Sequence, residues 1–335
     1  MHLVEIIGTQ GTDASTLDAL ETWLTSRLGK GVIRALDTPN FVANRIGVFS
    51  ILAVMHHTQA FGLGFDEVDA LTGPKIGRPK SATYRTADVV GLDTLAHVVN
   101  TMQSTLPNDP WHAYFQNPAW LQALIAKGAL GQKTRCGIFR KQGKEIQVLD
   151  LAAQDYRKSA GEIADEVAAI LKIRNPAEKF AALRASSHPQ AQFLWAIFRD
   201  IFHYAAVQLE SVADNARDLD FAMRWGFGWA QGPFETWQAA GWADTAQAIA
   251  ADIAAGKSMS SVALPAWALE SGRTGVHTAQ GSYSASKNAY VARSTLPVYQ
   301  RQLFPERVLG EIAPTPEKSG ETLYEDDGVR LWKLA

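Results

Sequence analysis

The beginning of the sequence follows a strand–helix–strand pattern that cannot form a complete domain by itself. Residues 3–7 are apolar except for Glu5 and predict a buried strand. Leucine and tryptophan side chains recur at helical spacing over residues 17–28, Gly29 ends that helix, and residues 32–33 predict a second strand. Parallel sheets are covered on both faces, which two strands and one helix cannot achieve. We therefore expect the rest of the sheet to lie upstream or a partner to cover it.

Composition excludes several classes of protein. The 335 residues are enough for about two domains. A net charge of -2, from 32 basic and 34 acidic residues, gives no electrostatic drive toward nucleic acid or an anionic membrane. The single cysteine, Cys136, excludes an internal disulfide and favours a reducing setting. The most apolar segment, residues 46–55, is too short for a membrane span, which needs about 20 residues. We therefore expect a cytoplasmic protein with no nucleic-acid partner and no integral membrane segment.

Most of the remaining sequence has helical patterns. Thr38 is a suitable N-cap and Pro39 a suitable first helical residue for a helix that runs to about residue 59. Apolar side chains recur every three to four positions over residues 193–209 and predict a long buried helix. Short apolar runs on either side of residues 142–144 predict a β-hairpin.

Two segments whose starts are 150 residues apart (234 minus 84) share a pattern. Residues 84–91, YRTADVVG, and 234–241, FETWQAAG, have an aromatic residue, a threonine and a glycine at the same places. Each segment follows a helix that contains an aspartate, Asp69 or Asp220, and then a glycine-rich loop. This pattern predicts two copies of one helical module that pack on each other.

Four motifs resemble those of the L-3-hydroxyacyl-CoA dehydrogenases of fatty-acid β-oxidation, and they occur in the same order as in that family. They are MHLVEIIG at residues 1–8, DTPNFVANR at 37–45, ADVVGLDT at 87–94 and GQKTRCGIF at 131–139. The fourth motif departs from the family pattern Gly-x-Lys-Thr-Gly-x-Gly-Phe-Tyr, because Arg135 replaces its second glycine and Ile-Phe replaces Phe-Tyr.

The resemblance implies oxidation of an L-3-hydroxyacyl-CoA to a 3-ketoacyl-CoA, with hydride transfer to NAD. It also implies that residues 190–285 are the degenerate second C-terminal domain of a multifunctional β-oxidation protein. The family's Gly-x-Gly-x-x-Gly loop, and the histidine base that precedes its Met-x-Leu-Val-Glu strand, do not occur in the 335 residues. We therefore expect a fragment of a dehydrogenase, truncated at its N-terminus, and predict that this chain by itself is inactive.

The expected fold is mainly α-helical: tandem modules similar to the family's C-terminal domain, preceded by a remnant of a Rossmann α/β domain. The predicted domains are the Rossmann remnant at 1–34, the first helical module at 35–140, a hairpin and connecting helix at 141–185, the second helical module at 186–285, and a linker with the start of a crotonase-like (enoyl-CoA hydratase) domain at 286–335.

Three side chains are candidates for the site, and the resemblance implies a role for each. Glu5 matches the carboxylate that orients the catalytic imidazole; the alternative is a strand glutamate that faces water. Asn44 matches a substrate-binding asparagine; the alternative is an amide satisfied within its own helix. Lys133 matches a lysine that reaches bound NAD; a solvated loop lysine is an equal alternative.

Two further groups of side chains have simpler interpretations. Lys75, Arg78 and Lys80 could attract the phosphates of coenzyme A, but a charged surface turn is the commoner explanation. His56 and His57 are adjacent on a helix and point about 100° apart, so they do not chelate one ion well. We therefore assign no metal.

The resemblance also implies partners. An acyl-CoA is the expected substrate, and the helical modules are expected to pair within one chain or in a homodimer. The alternative function is a non-catalytic assembly module of a β-oxidation protein, in which the three candidate side chains have no role.

Overall fold

The computed structural model describes residues 2–302, 305–311, 321–326 and 329–333. Within these ranges about half of the chain is helical, and its strands form small sheets. The helices are α1 (Ala14–Leu28), α2 (Ala43–Ala60), α3 (Phe65–Leu71), α4 (Tyr84–Val90), α5 (Leu92–Thr105), α6 (Ala119–Ala126), α7 (Asp165–Lys172), α8 (Pro176–Ala185), α9 (Pro189–Val212), α10 (Ala216–Phe227), α11 (Pro233–Ala239), α12 (Trp242–Ala254) and α13 (Pro297–Gln300). The strands are β1 (Leu3–Ile7), β2 (Gly31–Ala35), β3 (Phe139–Gln142), β4 (Glu145–Asp150), β5 (Asp155–Lys158), β6 (His277–Thr278), β7 (Gly281–Ser284), β8 (Ala289–Val291), β9 (Glu321–Glu325) and β10 (Arg330–Lys333). None of the described helices has both the length and the apolar character needed to cross a bilayer.

The first sheet consists of β1 and β2, which pair in parallel and are connected by α1, as predicted. The register runs from Leu3 opposite Gly31 to Ile7 opposite Ala35. Gly29 ends α1 with φ 60°, a left-handed conformation that glycine adopts without strain. Three large apolar side chains of α1 remain about half exposed: Leu20, Trp23 and Leu28. The described residues therefore cover this face of α1 only in part.

The start of α2 differs from the prediction. The helix begins at Ala43, whereas the sequence places its start at Thr38 and Pro39. Asn40 and Phe41 have φ values of 65° and 48°, which a right-handed helix cannot contain. The segment before α2 is therefore a turn, and the end of the helix agrees with the prediction to one residue.

The centre of the molecule is the contact between α2 and α9, the long helix that the apolar periodicity predicts. The ring of Phe49 stacks on that of Tyr204, with 3.8 Å between centroids. The guanidinium of Arg45 donates to Tyr204 Oη at 2.7 Å, to Asp109 Oδ2 at 2.8 Å and to Gln208 Oε1 at 2.9 Å. The Arg45 and Asp109 side chains are almost fully buried. Leaving a buried charge unpaired costs roughly 3–5 kcal/mol. This network therefore couples the stability of α2 to that of α9.

Two small antiparallel sheets follow the helices. β3 and β4 form the hairpin predicted around residues 142–144, and β5 adds a third strand whose sequence, DYRK, is too polar to be recognised by alternation. β6, β7 and β8 form a second sheet. Near the C-terminus β9 pairs with β10, and the side chains of Val329 and Leu331 in the predicted alternating pattern are exposed. Leu334 and residues 312–320 of the predicted linker lie outside the described residues.

The two segments of the predicted repeat make the same backbone contacts. Asp69 accepts hydrogen bonds from the N–H of Tyr84 at 2.7 Å and from the N–H of the residues on either side. Asp220 accepts them from the N–H of Phe234 at 3.0 Å and of the next residue at 2.9 Å. Each buried carboxylate therefore satisfies the free N–H groups at the start of α4 or α11.

Candidate functional site

Glu5 on β1 lies against the beginning of α2. Its Oε1 accepts a hydrogen bond from the backbone N–H of Ala43 at 2.7 Å. Burial raises the pKa of the Glu5 carboxyl, and the N–H groups of Ala43 and Val42 oppose that rise. The start of a helix carries free N–H groups and a partial positive charge, both of which favour a carboxylate. Glu5 is therefore a half-buried, positioned acid rather than a strand glutamate that faces open water.

Asn44 lies in the first turn of α2, directly after the residue that binds Glu5. A helix that began at Thr38 and Pro39, as predicted, would place Asn44 further from its start, but α2 begins at Ala43. Asn44 is exposed, whereas the neighbouring Arg45 is buried. The structure therefore brings Glu5 and Asn44 together at one end of α2, with the amide open to solvent.

Lys133 lies in the turn before β3 and forms an ion pair. Its Nζ is 2.6 Å and 2.7 Å from the two carboxylate oxygens of Asp93. The hydrogen bond from Lys133 lowers the pKa of Asp93. Both side chains are substantially exposed. Among the described residues, no hydrogen bond or ion pair links Lys133 to Glu5 or Asn44, so the third candidate is not joined to the other two.

The third and fourth motifs meet at Asp88, a residue that the sequence analysis did not single out. Its carboxylate accepts hydrogen bonds from the N–H groups of Ile138 at 2.9 Å and Phe139 at 2.8 Å. Burial raises the pKa of Asp88 to about 6, against the lowering effect of these donors. A Cβ at Gly137 would lie 2.1 Å from Asp88 Oδ1, and one at Gly131 would lie 2.3 Å from the Asp88 carbonyl oxygen. The sequence offers one sign of this contact: the third motif contains the aspartate, and the fourth contains the glycines that leave room for it.

The second segment of the predicted repeat has a corresponding contact with a different side chain. Gln238 Oε1 accepts hydrogen bonds from the N–H groups of Val276 at 2.9 Å and His277 at 3.0 Å. A Cβ at Gly275 would lie 2.0 Å from that oxygen. His277 Nε2 is 2.7 Å from Asp220 Oδ2, and both side chains are fully buried. An uncharged amide thus occupies the place that a carboxylate has in the first copy.

The basic loop is partly structural. Arg78 is buried, and its guanidinium lies 4.5 Å from the ring centroid of Trp229, a cation–π contact. Burial lowers the pKa of Arg78 to about 10. The expectation of a solvated surface turn is therefore wrong for Arg78, because Trp229 covers it; Lys75 and Lys80 are exposed as expected.

Comparison with known proteins finds one family. Residues 41–141 match the family model described as 3-hydroxyacyl-CoA dehydrogenase, C-terminal domain. A Bacillus subtilis protein named "Probable 3-hydroxyacyl-CoA dehydrogenase" is 38% identical over 247 residues, which are 74% of this chain and 31% of that protein. A Deinococcus radiodurans protein of the same name is 41% identical over 145 residues, 43% of this chain and 41% of that protein. This chain therefore spans about a third to two fifths of the length of these relatives.

The solved structure of 3-hydroxybutyryl-CoA dehydrogenase from Escherichia coli has a TM-score of 0.52 and 19% sequence identity, and the match covers 76% of this chain and 63% of that one. This likeness shows a shared fold. Residues 41–141 therefore match the C-terminal domain of the 3-hydroxyacyl-CoA dehydrogenase family, and the chain is similar to relatives that carry that name.

Proposed function

We propose that this chain supplies the helical, substrate-covering part of an NAD-dependent L-3-hydroxyacyl-CoA dehydrogenase of fatty-acid β-oxidation. The observation that carries the proposal is the placement of Glu5 and Asn44 at one end of α2, joined through the N–H of Ala43. A positioned carboxylate beside an exposed amide suits a site in which an imidazole removes a hydroxyl proton next to a thioester carbonyl.

In this role Glu5 accepts a hydrogen bond from the imidazole N–H and stabilises the imidazolium that forms when the hydroxyl proton is removed. The N–H of Ala43 fixes the orientation of the carboxylate. Asn44 donates to the acyl carbonyl from its amide nitrogen. Burial raises the pKa of Glu5, and pairing with a cationic imidazole would oppose that rise.

The residues of this chain do not by themselves fit NAD. The N-cap of α1, the helix that follows β1, is Asp13, whose negative charge would repel a pyrophosphate. The ammonium of Lys133 is already paired with Asp93. We therefore expect Lys133 to contribute to NAD binding only when a dinucleotide-binding domain is present.

We also propose the domain division predicted from the sequence, in which β1, α1 and β2 are the end of a Rossmann domain. The matching carboxylate contacts at Asp69 and Asp220 support two copies of one helical module, paired within the chain through α2 and α9. Because β3 spans residue 140 and Asp88 binds its start, we attach the hairpin to the first module. A cytoplasmic location remains part of the proposal.

Binding of acetoacetyl-CoA, measured by calorimetric titration, tests the substrate site. We expect binding that is weakened about tenfold in Asn44→Ala, the loss of one hydrogen bond to a carbonyl, and unchanged in the control Gln103→Ala, an exposed amide on α5. With NAD and a 3-hydroxyacyl-CoA, we expect no NADH absorbance from this chain alone. Sustained turnover would show that the catalytic groups lie elsewhere in these residues.

One observation favours the second candidate function, a non-catalytic assembly module. The apolar face of α1 is exposed, and a helix normally buries such a face. If acetoacetyl-CoA does not bind at all, and Trp23→Glu abolishes self-association in analytical ultracentrifugation, the assembly function is the better explanation.

A further inference from the structure

A cavity of about 530 Å³ lies at the C-terminal end of α2, between that helix, α9 and α12. Its apolar wall includes Phe61, Trp195 and several alanines, and His56 lies on its open side. His56 is twelve residues beyond Asn44 on α2, a separation of about 18 Å at 1.5 Å per residue. The cavity is therefore distinct from the site at Glu5 and does not depend on the function proposed above.

Most charges in this wall are paired. The guanidinium of Arg199 donates to Asp200 Oδ2 at 2.8 Å, to the Lys257 carbonyl at 2.7 Å and to Asp252 Oδ2 at 3.2 Å. Asp252 also accepts a hydrogen bond from Trp195 Nε1 at 2.8 Å. The Lys257 ammonium lies 3.7 Å from the other oxygen of Asp252. These cations have carboxylate partners within the protein.

Arg184 differs, because its guanidinium forms no hydrogen bond or ion pair with the side chains of the described residues. Its guanidinium lies 5.3 Å from the ring centroid of Trp195, at the edge of the same cavity. The side chain is partly buried, and Nη1 is buried without a partner. Burial lowers the pKa of Arg184, and the nearby carboxylates of Asp244 and Asp252 oppose that change without forming an ion pair with it. A cation in this position gains more from an anion than a solvated surface arginine does.

We propose that this cavity is a second binding site and that it takes a small organic carboxylate with a short apolar chain. The single unpaired guanidinium of Arg184 matches one negative charge, and arginine suits a planar carboxylate. The apolar part lies along Phe61 and Trp195, and the His56 ring offers a further hydrogen bond at the open side. The cavity volume is in the range of sites that bind small molecules.

Three probes test the site by calorimetric titration of the whole chain: hexanoate, inorganic phosphate and hexan-1-ol. Hexanoate should bind more tightly than either control probe, since only hexanoate has both the charge and the chain. Arg184→Ala should weaken hexanoate binding about tenfold or more, the effect of losing a charge-assisted hydrogen bond. Arg184→Lys should keep part of the affinity. Arg174→Ala, an exposed arginine outside the cavity, is the matched control and should change nothing.

Proton NMR of the His56 ring gives a second measurement, because bound hexanoate should shift its ring resonances and raise its pKa. The proposal fails if hexanoate does not bind at about 10 mM, a very weak affinity. It also fails if hexan-1-ol binds as well as hexanoate, or if Arg184→Ala binds hexanoate as the wild type does. Tighter binding of phosphate than of hexanoate would replace the carboxylate with an inorganic anion and overturn the proposal.

Discussion

The carboxylate of Asp69 is the clearest place to test how the first helical module is held together. It accepts three backbone hydrogen bonds, at 3.1, 2.7 and 2.9 Å, from the residues that begin α4. Asp69→Ala would leave three N–H donors without this acceptor in a largely buried place. At the lower bound of about 1 kcal/mol for each unsatisfied donor, the free energy of unfolding should fall by about 3 kcal/mol. Asp69→Asn keeps one acceptor oxygen and should lose less.

Urea unfolding followed by circular dichroism measures this change. Asp37→Ala is the matched control, because Asp37 is exposed and should change the free energy of unfolding by less than about 0.5 kcal/mol. Asp220→Ala should be destabilised at least as much as Asp69→Ala, since Asp220 caps α11 in the same way and also contacts His277. If Asp69→Ala behaves like Asp37→Ala, the carboxylate does not hold α4 in place and the reasoning is refuted.

Three further predictions concern pH, packing and the site. Burial lowers the pKa of His203 to about 4, so between about pH 6.5 and 4 the unfolded chain binds a proton at this residue more tightly than the folded chain does. As the pH falls through that range, the free energy of unfolding of the wild type should decrease by about 3 kcal/mol. Urea titrations of His203→Gln should lack this part of the decrease. Gly137→Ala should lower the free energy of unfolding by about 2 kcal/mol or more, because its Cβ would overlap Asp88, and a change below about 0.5 kcal/mol would contradict that geometry. Glu5→Ala should cost about 1 kcal/mol through the lost N–H contact of Ala43, while Glu5→Gln, which keeps an acceptor, should cost less; equal losses would show that charge rather than the hydrogen bond matters.

The elements that could be predicted from the sequence are those set by local pattern. The apolar run of β1, the apolar stripe of α9 and the glycine that ends α1 each reflect neighbouring residues in the chain. The start of α2 could not be predicted in this way. Pro39 is a good first helical residue, but Asn40 and Phe41 adopt positive φ, and the first free N–H groups of the helix are met by Glu5, 38 residues away from Ala43. A contact between residues so far apart in the chain produces no periodic pattern in the sequence.

The candidate site shows the same division. Glu5 and Asn44 were found because motifs carried them, and their proximity follows from β1 ending against α2. The sequence gives no reason to single out Asp88, because most aspartates are exposed to solvent. Its partners are 50 and 51 residues further along the chain, and only the folded backbone shows that two N–H groups converge on it.

The pairing of α2 with α9 in one polypeptide has a consequence for how such a protein can change. Two identical subunits must carry every substitution twice, whereas two halves of one chain can diverge separately while their stoichiometry stays fixed at one to one. Asp88 and Gln238 illustrate such a difference, because they hold the starts of β3 and β6 with and without a charge. Covalent linkage therefore allows a substitution at one of these contacts without a matching change at the other.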